Sequence, residues 1–188
     1  MSIQLRRHIE QIITLTDGEF DYVLSHFKHR KFKKYQYLIQ EGDQVPNDFF
    51  ILNGLLKASR TDEQGKEFIV QFAVEDWWIS DPQAYHNQTV ATLNVVCLED
   101  CETLSLSLQN REKLCAELHK MEHFFRKKTT AGYVALQRRI LSLISTNAKQ
   151  RYELFVQQYP KLVQRVPKTL IASYLGVTRE TLSRLDSD

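Results

Sequence analysis

The spacing of apolar residues changes near Ser107, and that change limits the fold more than any other feature of the chain. Between Tyr35 and Leu108 the apolar residues fall in short runs at 37–39, 49–52, 55–59, 68–72 and 93–98, divided by turn residues such as Glu41-Gly42-Asp43, Pro46-Asn47-Asp48 and Asp62-Glu63-Gln64-Gly65. Many short strands at close spacing predict a sandwich or roll of jelly-roll type. Asn53-Gly54, set between two apolar runs, predicts a two-residue hairpin because both residues tolerate positive φ. After Ser107 the spacing turns helical for about forty residues. Leu114, Leu118, Met121 and Phe125 make one stripe, and Tyr133, Leu136, Ile140, Leu143 and Ile144 make another, with Thr129, Thr130, Ala131 and Gly132 as a small-residue centre between them. A strand-rich block followed by helices predicts an α+β protein.

A long helix with a shifting apolar stripe suits packing against a partner helix as well as against its own domain. Met121, Phe125, Gly132 and Leu136 are therefore expected at a homodimer interface; a helix buried wholly within the monomer is the alternative. Ahead of the strands, Ile9, Ile12, Ile13 and Leu15, then Phe20, Val23, Leu24 and Phe27, predict two short amphipathic helices, the second opened by a capping box of Thr16 and Glu19. The basic run HRKFKK that follows either contacts an anion or forms the solvated face of an entering strand. Beyond the long helix, Asn147 is expected to cap a further helix ended by Pro160. The resulting division is residues 1–118 for the roll with its N-terminal helices, 119–146 for the long helix, and 147–188 for a C-terminal helical domain.

That last domain contains KTLIASYLGVTRETLSRL, residues 168–185. Leu170, Ile171 and Leu175 give one short helix a buried side, Ala172 adds a small contact point, and Gly176 breaks the pattern. Thr178 is then a good N-cap for a second helix that buries Leu182 and Leu185. Two short helices across a glycine turn predict a helix-turn-helix, with Arg179, Glu180, Ser183 and Arg184 turned outward near the start of the helix that meets base edges. Lys168 and Thr169 at the start of the first helix join Thr178 as further DNA-contact candidates. An ordinary helical hairpin with a solvated charged face is the competing reading of the same residues.

Charge supports the DNA reading only when it is divided by position. The net charge is +2, yet residues 1–110 carry 10 basic against 16 acidic residues, and residues 111–188 carry 15 against 7. A basic C-terminal part beside an acidic N-terminal part is expected when only one part approaches phosphates. At 43% hydrophobic the chain supports a proper core, without any apolar run of membrane-spanning length. The mixed N-terminus MSIQLRRHIEQIITL does not read as a signal peptide, so a soluble cytoplasmic protein is expected. Cys97, Cys101 and Cys115 lack metal or disulfide spacing, and His86 and His119 have no partners at ligand spacing, so no metal site is expected. No nucleophile and base constellation or phosphate loop points to an enzyme.

The order of helices, roll, long helix and helix-turn-helix resembles the bacterial Crp/Fnr family of cyclic-AMP-receptor-like transcription regulators. GDQVPNDFFILNGLLKASRTDEQGKEFIVQF is similar to that family's effector-domain roll, and IASYLGVTRETLSRL to its DNA-reading motif. The resemblance implies a cyclic-nucleotide-binding-like roll, a homodimer on double-stranded DNA and RNA polymerase as a candidate further partner. It also implies that Arg179, Glu180 and Arg184 contact bases and backbone. Chemistry agrees, since arginine pairs bidentately with guanine and glutamate accepts from cytosine N4.

The family's nucleotide-binding stretches are not kept. By eye, Ile79-Ser80-Asp81 falls where those members carry Gly-Glu-Leu, and Ala91-Thr92-Leu93 where they carry Arg-Ser/Thr-Ala. No Lys or Arg occurs between Lys66 and Arg111, so that region offers no side-chain cation to a cyclic phosphate. Cyclic AMP is therefore not expected as effector. Neither is an iron–sulfur cluster, for want of clustered N-terminal cysteines, nor haem, for want of an assignable ligand. Whatever effector binds is expected near Trp77, Trp78, Ser80, Thr89, Ala91 and Thr92, although the tryptophan pair could equally close one end of the roll. Asp186-Ser187-Asp188 follow the second helix as acids expected to repel phosphate; a natural end with weakened DNA binding and a shortened tail both fit. The rival to a DNA regulator is a ligand-binding or protein-interaction module with a degenerate helix-turn-helix.

Overall fold

The structure, a computed structural model, describes residues 2–185; Asp186, Ser187 and Asp188, and what was expected of them, lie outside the described residues. The chain divides into two compact units, residues 1–58 with 72–129, and residues 59–71 with 130–188.

The first unit opens with α1 (Ser2–Glu10) and α2 (Asp17–Ser25), followed by strands β1 (Lys28–Phe32), β2 (Tyr37–Ile39), β3 (Asn47–Asn53), β4 (Leu56–Thr61), β5 (Glu67–Ala73) and β6 (Trp78–Ile79). Then come the short α3 (Pro82–Asn87), β7 (Asn94–Cys97), β8 (Cys101–Ser107), α4 (Leu108–Glu117) and the long α5 (His119–Ser145). The strands make two four-stranded sheets in the orders β1-β8-β3-β6 and β2-β7-β4-β5. This is the jelly-roll-like α+β arrangement that the short strand runs imply.

Thr16 caps α2 as the sequence suggests: its side chain accepts from the Glu19 amide while the Glu19 carboxylate accepts from the Thr16 amide. The first helix is shorter than the apolar spacing implies and ends at Glu10, with Ile12 and Ile13 packing from the turn beyond it. Leu5 and Ile9 of α1, Phe20 and Val23 of α2, Phe50 and Leu104 of the first sheet, and Met121, Phe124 and Phe125 of α5 close one core cluster. Ile51, Leu56, Ile79, Tyr85, Val95 and Cys97 belong to a second cluster.

Two expectations are corrected here. Asn53-Gly54 does not join a hairpin: β3 pairs with β8 and β6, and β4 lies in the other sheet. Gly54, at φ 109°, hands the chain from one sheet to the other. A Cβ there would come within 2.5 Å of Cys101 Sγ, so close backbone approach demands the glycine as much as the turn does. The second correction concerns the dimer interface. Met121 and Phe125 are 0% and 5% exposed within their own unit, because α5 lays its first turns on the N-terminal helices and the first sheet. They are core residues of the monomer.

The second unit takes residues 59–71, the tips of β4 and β5 with their connection, together with α5 from residue 130 onward. It is completed by α6 (Ala148–Gln158), α7 (Pro160–Arg165), α8 (Lys168–Leu175) and α9 (Arg179–Leu185). Asn147 caps α6 through a capping box with Gln150, and Pro160 opens α7 at its first position, where a missing N–H costs nothing.

Candidate nucleic-acid interface

The helix pair α8 and α9 forms because its buried positions are spaced for two short helices and its turn residue is glycine. Ile171, Ala172, Leu175 and Leu182 are buried, and Leu170, Thr181 and Leu185 are partly so. Gly176 ends α8 in the left-handed region at φ 68° and ψ 34°. Its amide donates to Ala172 and Ser173, and the Val177 amide donates to the Ala172 carbonyl at 3.0 Å, so the last carbonyls of α8 are satisfied. Thr178 Oγ1 then accepts from the Thr181 amide at 3.2 Å and caps α9.

With Leu182 inward, α9 presents Arg179, Glu180, Ser183 and Arg184 to solvent. Thr178 is exposed beside them, as are Lys168 and Thr169 on the first turn of α8. The sequence-derived contact candidates thus occupy exposed positions of one helix pair. The Glu180 carboxyl is held below the usual carboxylate range by its own backbone amide first, then by Thr178, with Arg179 and Arg184 adding to the effect, so it stays an acceptor at neutral pH.

Two residues that spacing did not single out hold this helix pair. Arg151 of α6 donates from Nε to the Leu175 carbonyl at 3.0 Å and from Nη1 to the Thr146 carbonyl at 2.6 Å. Arg139 of α5 donates to the Tyr174 carbonyl at 3.1 Å and stacks over the Tyr174 ring, 3.8 Å from its centroid. Two guanidinium groups therefore meet the C-terminal carbonyls of α8, where the helix dipole favours cations. In the sequence both read as ordinary basic residues of an amphipathic helix, and only the meeting of α5, α6 and α8 distinguishes them.

In the roll, the two stretches aligned with nucleotide-binding signatures do come together, but to hold each other. Asp81, 1% exposed, accepts at Oδ2 from the Thr92 amide at 2.7 Å and the Thr92 hydroxyl at 2.9 Å, and at Oδ1 from the Ala84 amide at 3.2 Å. Its carboxylate caps α3 and pins the segment before β7. Ser80 donates to the Asn47 carbonyl, and Ala91 is buried, its amide donating to the Asp43 carbonyl at 2.8 Å. Thr89 is exposed. Trp77 and Trp78 are divided between cores, as successive residues around a strand must be: Trp77 packs on the second cluster and Trp78 on the first. Trp78 Nε1 donates to His8 Nε2 at 3.2 Å, which leaves the imidazole neutral with its proton on Nδ1. The pair therefore does not line one space.

Among the described residues no group of His, Cys, Asp and Glu is placed to hold a metal, and no helix is long and apolar enough to cross a membrane.

Residues 29–118 match the cyclic nucleotide-binding domain family. The cAMP-activated global transcriptional regulator CRP of Haemophilus influenzae is 20% identical, over 92% of this chain and 81% of its own length. Among solved structures, FixK2 of Bradyrhizobium japonicum superposes with a TM-score of 0.76 at 15% identity, covering 86% of this chain and 83% of that one. The chain has the Crp/Fnr architecture. A further Crp/Fnr structure, CLP of Xanthomonas campestris, described as a c-di-GMP responsive global regulator, gives a TM-score of 0.74 at 12% identity over 92% of this chain and 90% of its own. The Crp/Fnr fold thus extends through the helices that follow the roll.

Proposed function

We propose that this chain is a DNA-binding transcription regulator of the Crp/Fnr type, a homodimer that reads major-groove half-sites with α9, and not an enzyme. The observation that carries the reading is the exposed set Arg179, Glu180, Ser183 and Arg184 on a helix whose opposite side is buried and whose turn is fixed at Gly176. The name of the Haemophilus influenzae relative, a transcriptional regulator, supports it, as does the excess of basic residues after residue 110. In the dimer two such helices enter successive major grooves about 34 Å apart. Arg179 reads a guanine edge, Glu180 accepts from cytosine, and Lys168, Thr169, Thr178 and Ser183 serve phosphates.

The dimer seam lies in the second half of α5 rather than at Met121 and Phe125. Tyr133, Leu136, Ile140 and Ile144 are 68%, 51%, 52% and 75% exposed, and their three- and four-residue spacing makes one stripe. Gly132 is exposed at the head of that stripe. Cyclic AMP is a poor fit as effector, because Asp81 already spends its carboxylate on Thr92 and Ala84 and the sequence supplies no cation from residue 67 to residue 110. Gel shift on genomic fragments with a salt titration tests the reading. Arg179→Ala should cost about 1 to 3 kcal/mol and relax preference at one base position, with the salt slope falling by about one charge at most. An unchanged base preference in that variant refutes the assignment.

A further inference from the structure

We infer that Arg139 and Ser173 are positioning residues that fix the helix-turn-helix to the free edge of β5. The inference rests on the DNA-binding reading only for its functional consequence.

β5 is the outermost strand of its sheet, so its outer edge presents backbone groups that no strand pairs. Side chains of the second unit take them. Ser173 Oγ, on α8, donates to the Glu67 carbonyl at 2.7 Å and accepts from the Ile69 amide at 3.4 Å. Residues two apart on a strand point these groups to the same edge, so one hydroxyl answers both in place of a neighbouring strand. Arg139 donates to the Ile69 carbonyl on that edge at 2.7 Å and also to the carbonyl of the next residue, Val70. The same guanidinium reaches the Tyr174 carbonyl at the end of α8 and stacks on the Tyr174 ring. One planar cation therefore binds the strand edge and the helix end at once, which the point charge of a lysine cannot reproduce.

The arrangement is reciprocal. If α8 leaves, the β5 edge loses the Ser173 hydroxyl that serves the Glu67 carbonyl and the Ile69 amide, and the end of α8 loses the Arg139 cation at Tyr174. Because residues 67–70 run directly into the rest of β5, a change in the strand's path is felt at Ser173 and Tyr174, one turn before Gly176 and the start of α9. Within the second unit, the pose of the reading helix is thereby tied to residues 67–70 of β5.

Hydrogen exchange on the full chain without DNA tests the positioning directly. Arg139→Ala should speed exchange of the Ile69, Gly176 and Val177 amides by about tenfold or more, the worth of a hydrogen bond to a charged group, while amides of β3 and β8 keep their protection. Ser173→Ala, which suits a helix, should produce the same pattern at Ile69 if Arg139→Ala does not fold. Arg139→Lys should fail to restore protection. On DNA, both alanine variants should weaken specific binding with the salt slope unchanged, since neither residue is assigned a phosphate. Unchanged exchange at Ile69 in both alanine variants, full rescue by lysine, or uniform loss of protection across the chain would overturn the inference. Wild-type protein that shows the exchange pattern but no specific DNA binding would overturn the DNA-binding reading and leave the positioning role standing.

Discussion

Two titratable side chains in the first unit, buried His8 and half-buried Asp48, pull stability in opposite directions with pH. His8 is 4% exposed against Phe50 and Phe124, and burial, aided by Lys128, lowers its pKa to about 4. Its unfolded pKa of about 6.5 means the unfolded chain binds the extra proton between those values, so the His8 contribution is lost as pH falls through that window. Asp48 behaves in the opposite sense. Its carboxyl is pushed up to about 6 by burial, and Arg111 at 3.9 Å is too distant to offset the lost hydration. The folded state then holds the proton longer, and stability from Asp48 is lost as pH rises from its unfolded value of about 3.8 through 6. Each contribution is on the order of 3 kcal/mol, so the two oppose each other between about pH 4 and 6. Urea melts should show stability falling with rising pH in His8→Gln and rising with pH in Asp48→Asn. Parallel profiles for the two variants would contradict the assignment. Neither residue could be singled out from the sequence, because burial of one histidine and one aspartate depends on α1, β3 and α4 meeting.

At the scale of elements, what could be read in the sequence followed from local chemistry. The Thr16 and Asn147 caps and the α8-Gly176-α9 turn rest on interactions within a few residues, and the structure has them in place. What depended on long-range pairing was not legible. β8, reading CETLSLS with alternation only from Leu104 onward, lies in a stretch with no strand assigned from the sequence, although it is the strand on which β1 and β3 both pair. The break at Leu118 that separates α4 from α5 has no proline or glycine to announce it. Asn53-Gly54 satisfied the local rule for a hairpin, but β3 finds β8 instead, and the turn serves a change of sheet. The two glycine turns should therefore respond differently to alanine. At Gly176 the nearest atom to a new Cβ is Leu143 Cδ2 at 3.7 Å, so only the positive φ is charged, about 1 to 2 kcal/mol. At Gly54 the new Cβ also meets Cys101 Sγ at 2.5 Å and the Asp100 carbonyl at 2.8 Å, so Gly54→Ala should cost at least about 1 to 3 kcal/mol more. Thermal melts of the two variants check the order, and equal losses would argue against the close approach of β3's end to β8.

For the molecule as a whole, the candidate DNA residues were legible because a reading helix must show its side chains on one exposed face, which a 3.6-residue period displays directly. The residues of the proposed dimer seam were legible only in part. A stripe along α5 has the same period whether it meets the monomer's own core or a second copy, and burial assigns Met121 and Phe125 to the former while leaving Leu136 exposed. Ile140→Glu should accordingly convert a dimer to a monomer in sedimentation while leaving the melting of the first unit unchanged; a variant that stays dimeric would move the seam elsewhere. The central claim, that α9 reads sequence, is tested most directly by comparing binding to a duplex selected from random sequence with binding to its shuffled counterpart at physiological salt. A DNA reader should prefer the selected duplex by about a thousandfold or more, with the preference reduced in Arg179→Ala. Equal affinity for the two duplexes would contradict the account.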